Sequence, residues 1–312
     1  MFDFYQHRHI FFSLSIVLLL LGSILTFING INLDIGFQGG AIMKYTYQGT
    51  PDLNEISQTV SDVVQRNVTI QTTTDLASNN QKLVLHLAGN DSLSTKEQAA
   101  LDAALKEQFS EHNLQLSESN MVEPFIGKRS LKNGILAIIL SFAFIVCYVW
   151  YRFKQISGLA AGLSGLIALV HDCALVFFTY TVFGLSINDT FIAVILTIIG
   201  YSINDTIVIF DRIRENAKTG LFSSPEELVN VSINQSLART VNTALTTVAS
   251  ILILLVFAWV FNIESIRLFA LPMAVGMISG CYSTIVIAGP LWVTWQKKKN
   301  VSYDMIQMDK RP

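Results

Sequence analysis

Residues 190–210 read TFIAVILTIIGYSINDTIVIF, an apolar run with one charged side chain, Asp205. A bilayer core needs about 20 apolar residues per spanning helix, so the run reads as a span with an aspartate in the wrong solvent. Five more stretches qualify: 10–28, 134–151, 156–183, 240–261 and 268–295. The first is too long for a signal-peptide core and no A-x-A site follows it, so it reads as an uncleaved anchor. Hydrophobic residues make up 51% of the 312 and charged residues 14%, against about 25% charged in soluble proteins. Disorder, collagen and a disulfide-stapled scaffold are excluded. A net charge of -2 without a basic, aromatic-interleaved patch argues against nucleic acid. Cys147, Cys173 and Cys281 lie far apart in apolar runs and read as packing residues. No cofactor-binding or enzyme motif is present.

The fold class is therefore a polytopic α-helical membrane protein with six transmembrane helices and one polar insert. The boundaries fall at 1–30 (N-terminal segment and first span), 31–130 (insert), 131–296 (the other five spans) and 297–312 (a basic tail). Twelve of the 21 basic residues fall on the side of the N-terminus, among them Arg8, Arg152, Arg212, Lys297, Lys310 and Arg311. By the positive-inside rule both termini are expected in the cytoplasm, with 211–239 a cytoplasmic loop and 31–130 outside. Ser224-Pro225-Glu226-Glu227 in that loop predicts a helix start: N-cap serine, proline at N1 and capping-box glutamate. The insert alternates between periods. Ala41–Tyr47 predicts a strand, Leu53–Arg66 a helix, Val68–Thr74 and Lys82–Leu87 strands around a turn at Ser78–Asn80. Thr95–His112 predicts a helix and Leu114–Ser119 a last strand. The order β-α-β-β-α-β is the ferredoxin-like pattern. Gly39-Gly40 reads as a turn ahead of the first strand.

Polar groups inside the spans are the functional candidates, because an aspartate at mid-helix costs on the order of 3 kcal/mol. Asp205 lies five residues before Phe210, roughly 7–8 Å inside the end of its run. Burial and a nearby cation pull such a carboxyl in opposite directions, so it can load and release a proton. The expected cation is Arg239, which stays charged and serves as a fixed counter-ion. Arg239, Asn242, Thr243, Thr246, Thr247 and Ser250 form one stripe at helical spacing, expected to face the bundle interior. Tyr201, Asn204 and Thr206 surround Asp205 in sequence. His171-Asp172, midway along the third span, is either a polar relay or an inter-helix hydrogen bond. A metal is not expected, since no ligand-spaced cluster accompanies the pair. Ser-Ile-Asn-Asp-Thr occurs at 186–190, where Asn188 or Asp189 can cap the fourth span, and again at 202–206 inside it. Gly158-x-x-x-Gly162 and Gly276-x-x-x-Gly280 permit close helix approach. Pro272 and Pro290 are expected to kink or end the sixth span.

The run from Gly200 to Asn216, GYSINDTIVIFDRIREN, closely resembles the signature of the SecF family of bacterial protein-export subunits. Ala168-Leu169-Val170-His171-Asp172, Ser236-Leu237-Ala238-Arg239-Thr240 and Ile35-Gly36-Phe37-Gln38-Gly39-Gly40 are similar to three further motifs of that family. Gly36 stands where the family has an acidic residue, with Asp34 two positions earlier, and Gln38 stands for a threonine. Ile126–Ser130 replaces a Gly-Pro-x-x-Gly-like turn. The resemblance implies a resistance-nodulation-division bundle, a SecD-like partner, association with the SecYEG channel, and SecA acting earlier on the exported polypeptides. It also implies that the proton-motive force is used for export across the cell membrane, with Asp205 and Arg239 on the proton pathway. Two other functions fit the same spans. A half-size small-molecule transporter of that superfamily predicts a substrate pocket. A non-transporting assembly factor predicts that Asp205 supports abundance only.

Overall fold

The structure, a computed structural model, describes residues 2–49, 51–64, 68–74, 81–88, 94–122, 124–261 and 263–298. Six helices among the described residues are long and apolar enough to cross a membrane. The first span is α1 (Arg8–Asn29), and a four-residue turn, α2 (Ile35–Gln38), follows it. Gly39 and Gly40 then take φ of 86° and 137°, so the chain turns there into the insert.

The insert holds β1 (Gly40–Thr46), α3 (Leu53–Val64), β2 (Val68–Thr74), β3 (Gln81–Ala88), α4 (Thr95–Gln108) and β4 (Gln115–Val122). The expected turn at Ser78–Asn80 and the expected helix end at Arg66 lie outside the described residues. The strands form one antiparallel sheet in the order β2-β3-β1-β4, which is the ferredoxin-like arrangement. Alternation along β1 and β3 sends Ala41, Met43, Tyr45, Leu83, Leu85 and Leu87 to one face, where Ile56, Val60, Leu101 and Leu105 cover them. This core is separate from that of the spans. Leu85→Ala removes a fully buried side chain and is expected to cost about 2–5 kcal/mol. In the full chain, hydrogen exchange across β1–β4 should accelerate while exchange in the spans stays unchanged.

The other spans are α5 (Pro124–Arg152), α6 (Gly158–Val182), α7 (Asp189–Thr219), α8 (Pro225–Val260) and a sixth made of α9 (Glu264–Ser283) and α10 (Gly289–Lys298). Asn188 caps α7, accepting from the Thr190 backbone at 2.9 Å. Ser224 caps α8, accepting from the Glu227 backbone, while the Glu227 carboxylate accepts from Ser223 instead of closing the capping box. The segment 211–239, expected as a loop with a short helix, is helical through Thr219 and again from Pro225. At 1.5 Å per residue α7 and α8 are about 46 and 54 Å long, against a bilayer core of about 30 Å. Polar i,i+4 surfaces need no membrane to stay helical, so hydropathy marks where the run leaves lipid and not where the helix ends.

Between α9 and α10, Thr284–Ala288 widens into a π-helical turn. Pro290 has no N–H for the Val286 carbonyl four residues back, and its ring crowds that carbonyl. Pro272 sits inside an unbroken α9. The glycine pairs do permit close approach. A Cβ on Gly276 would stand 2.7 Å from Ile198 and Val176, and one on Gly280 3.1 Å from the Ser202 Cβ.

The insert meets the spans through the chain after α1. Asp34 donates its backbone N–H to Ile187 in the α6–α7 connection, and Ile187 donates to Asn32. On the insert side, His86 of β3 places Nδ1 3.7 Å from the Asp34 carboxylate. Burial lowers the His86 pKa below its ordinary 6.5; Asp34 opposes that shift and Lys44 adds to it. The unfolded chain therefore protonates first. Stability is complete above the ordinary value and falls as pH drops below it, until the folded imidazole also takes a proton. Acidification from about pH 7.5 to about pH 5.5 should lower the hydrogen-exchange protection factors of 81–88, measured relative to the intrinsic exchange rate at each pH, and His86→Gln should flatten that dependence.

Candidate functional site

The two aspartates of the bundle lie in opposite kinds of surroundings. Asp172 on α6 is 0% exposed and fully hydrogen-bonded. Ser202 of α7 donates to Oδ2 at 2.7 Å, Ser283 of α9 to Oδ2 at 2.7 Å, and Ser279 of α9 to Oδ1 at 2.5 Å. His171 brings Nδ1 to 3.2 Å of Oδ1. One carboxylate thus ties three helices, with both of its oxygens engaged by side chains. His171 is 4% exposed, and its Nε2 has no hydrogen-bond partner among the described residues. Its ring lies 6.0 Å from that of Tyr282, whose hydroxyl donates to the Phe11 carbonyl of α1 at 2.8 Å.

Asp205, one turn past Ser202 on α7, is 4% exposed. Its Oδ2 is buried with no hydrogen-bond partner among the described residues. A buried oxygen without a donor is costly as a carboxylate and has room for a proton. Arg239 on α8 acts on it through its charge, but no hydrogen bond or ion pair joins the two side chains. The arrangement is a buried carboxyl and a cation on the neighbouring helix held apart.

Thr206 is buried and bonds Thr284 of the π-helical turn at 2.9 Å, so the turn after Asp205 is tied to the sixth span as well. Tyr201 is half-buried with its hydroxyl shielded, and Asn204 is exposed. The stripe on α8 does not face the bundle interior of this chain. Arg239, Asn242, Thr243, Thr246 and Ser250 are exposed and Thr247 is intermediate. The hydroxyls need no interior partner because they return to their own helix. Thr246 reaches the Asn242 and Thr243 carbonyls at 3.0 Å, Thr247 reaches Thr243 at 2.7 Å and Ser250 reaches Thr246 at 2.9 Å. Ser279 and Ser283, which complete the Asp172 cage, carry the signal that sequence reading passed over: hydroxyls four apart in an apolar run.

Residues 101–298 match the family described as protein export membrane protein SecD/SecF, C-terminal. The protein translocase subunit SecF of Rickettsia bellii is 33% identical over 298 residues, covering 96% of this chain and 94% of that one. The chain belongs to the SecF family. The SecF subunit of Petrotoga mobilis is 31% identical over 301 residues, covering 95% of this chain and 97% of its own. Among solved structures, SecDF from Thermus thermophilus superposes with a TM-score of 0.76 at 32% identity over 95% of this chain. SecDF in its super-membrane-facing form gives 0.68 at 30% identity over 99%. This chain spans about two fifths of each of those SecDF chains. The bundle is thus a SecF-type, multi-pass bacterial membrane protein, with the expected resistance-nodulation-division style of fold.

Proposed function

We propose that this SecF-type chain is one half of a proton-driven accessory of the protein translocase, paired with a SecD-like subunit and acting beside the SecYEG channel. Asp205 is the proton seat and Arg239 its counter-ion. The observation that carries the reading is the unpartnered, buried Oδ2 of Asp205 on the helix that faces a permanent cation. A proton from the outer side neutralises Asp205, and its release inward restores the attraction to Arg239. Two packings of α7 against α8 then alternate, and the insert follows through Asp34 and Ile187. In this reading both termini are cytoplasmic and the insert stands outside, where it meets polypeptides that SecA has already driven into the channel. The exposed polar stripe of α8, with Arg239 at its start, is the surface that the SecD-like half covers. That cover supplies the low-dielectric setting in which the charge of Arg239 counts most.

The test is export into inverted membrane vesicles at saturating ATP, with and without a proton gradient, from membranes holding or lacking this chain. The gradient should stimulate export only where the chain is present. Equal stimulation in its absence would overturn the reading. Affinity capture of the full chain from mild-detergent membranes should bring down a SecD-like subunit together with channel subunits.

A further inference from the structure

The donors around Asp172 converge from α7 and α9 on a side chain of α6, and the one from α7 comes from the turn that precedes Asp205. We propose that Asp172 is a positioning residue for Asp205, acting through Ser202. This rests on the reading of Asp205 as the proton seat.

The turn of α7 at Ser202 is held from two sides. Its hydroxyl donates to Asp172 at 2.7 Å, and its backbone carbonyl accepts from Thr206 at 3.1 Å and from Thr284 at 3.4 Å. Behind it, Gly280 brings α9 so near that even a methyl group would meet the Ser202 Cβ at 3.1 Å. Ser202 and Asp205 are three residues apart, about 60° around the helix. Their directions are therefore locked together. With side chains reaching about 5–6 Å from the axis, a rotation of about 20° would move the Asp205 carboxyl by about 2 Å. The Asp172–Ser202 bond resists that rotation. Asp172 suits the task because both its oxygens are filled by hydroxyl donors. It offers a fixed anchor, while Asp205 keeps the open oxygen.

The reactivity of Asp205 reports its placement. Dicyclohexylcarbodiimide attacks protonated carboxyls in apolar surroundings, so labelling of Asp205 against pH in membranes gives a midpoint. Among the described residues, the other titratable or charged groups coupled to Asp205 are Arg239 of α8, Cys281 of α9 and Tyr201 of its own helix, and the Ser202 and Asp172 substitutions leave all three in place. Ser202→Ala should move the labelling midpoint by at least about 0.5 pH unit, a fraction of one hydrogen bond to a charged group. Ser202→Thr keeps the hydroxyl but adds a methyl against α9, so at matched abundance its midpoint should lie nearer the parent's than that of Ser202→Ala. Asp172→Asn should shift it as well, and the double variant should shift no further than the larger single change, as expected for two groups acting as one unit. A parent-like midpoint in Ser202→Ala, at normal abundance and a monodisperse elution profile, would overturn the proposal. Should Asp172→Asn fail to accumulate, Ser202→Ala and Ser202→Thr decide alone. A shifted midpoint in a chain whose export ignores Asp205 would sink the proton-seat reading and leave the positioning role standing.

Discussion

Asp205→Asn is expected to abolish the gradient-stimulated part of export, a loss of about tenfold or more in that component, while the ATP-driven part persists. Asparagine has the same size and shape, so α7 keeps its packing against α6 and α9. What disappears is the exchange between a charged and a neutral state. Each pH unit across the membrane supplies about 1.4 kcal/mol per proton, and only a titrating group can collect it. Two packings separated by a few kcal/mol respond to a term of that size, and a permanently neutral side chain leaves their balance fixed. Arg239→Gln should give the same phenotype, because the seat then has no cation to answer. Combining the two should add little, since the pair acts as a unit. Arg239→Lys keeps the charge but loses the planar fork, and an intermediate result is expected. The measurement is export in vesicles matched for chain abundance, with and without an uncoupler. Parental, uncoupler-sensitive export by Asp205→Asn would remove the proton seat altogether.

Gly158→Ala is expected to be the most damaging single methyl group in the bundle. Gly158 opens α6 directly after Ser157, which holds a left-handed φ of 59°. A Cβ there would lie 2.2 Å from the Trp150 carbonyl oxygen and 2.9 Å from the Phe153 carbonyl carbon. Both belong to backbone and cannot rotate aside, so α5 and α6 must separate. Overpacking costs about 1–3 kcal/mol where side chains can adjust, and the upper end or more is expected here. Gly276→Ala offers the contrast. Its clashes at 2.7 Å are with side-chain carbons of Ile198 and Val176, which can shift. In thermal melts of the purified chain, Gly158→Ala should lower the midpoint by about 6–10 °C and Gly276→Ala by well under that. Equal melting of the two would show that the α5–α6 junction parts easily and carries little of the stability.

The six spans, the α/β insert with its order of elements along the chain and the cap at Asn188 were legible because each rests on local chemistry: hydropathy over about 20 residues, period-two alternation, a side chain beside its own backbone. The α7–α8 hairpin was misjudged, since polarity was taken as the end of a helix when it marks only the end of lipid. Asp205 stood out for its cost in hydrocarbon. The facing of the α8 stripe did not follow from its polarity, because threonine and serine can satisfy themselves on their own carbonyls.

From the order of its residues alone the chain settles that it spans a membrane six times, carries one folded insert and places a carboxylate where lipid would reject it. Which carboxylate is open and which is closed only the packed bundle decides. Asp172 and Asp205 have the same side chain and similar apolar neighbours in sequence, and they differ in how many hydroxyls other helices bring to them. Those hydroxyls come from residues 30 to 111 positions away. Their convergence depends on helix rotation and on the glycine contacts that bring α9 onto α7, quantities that no local window of sequence contains.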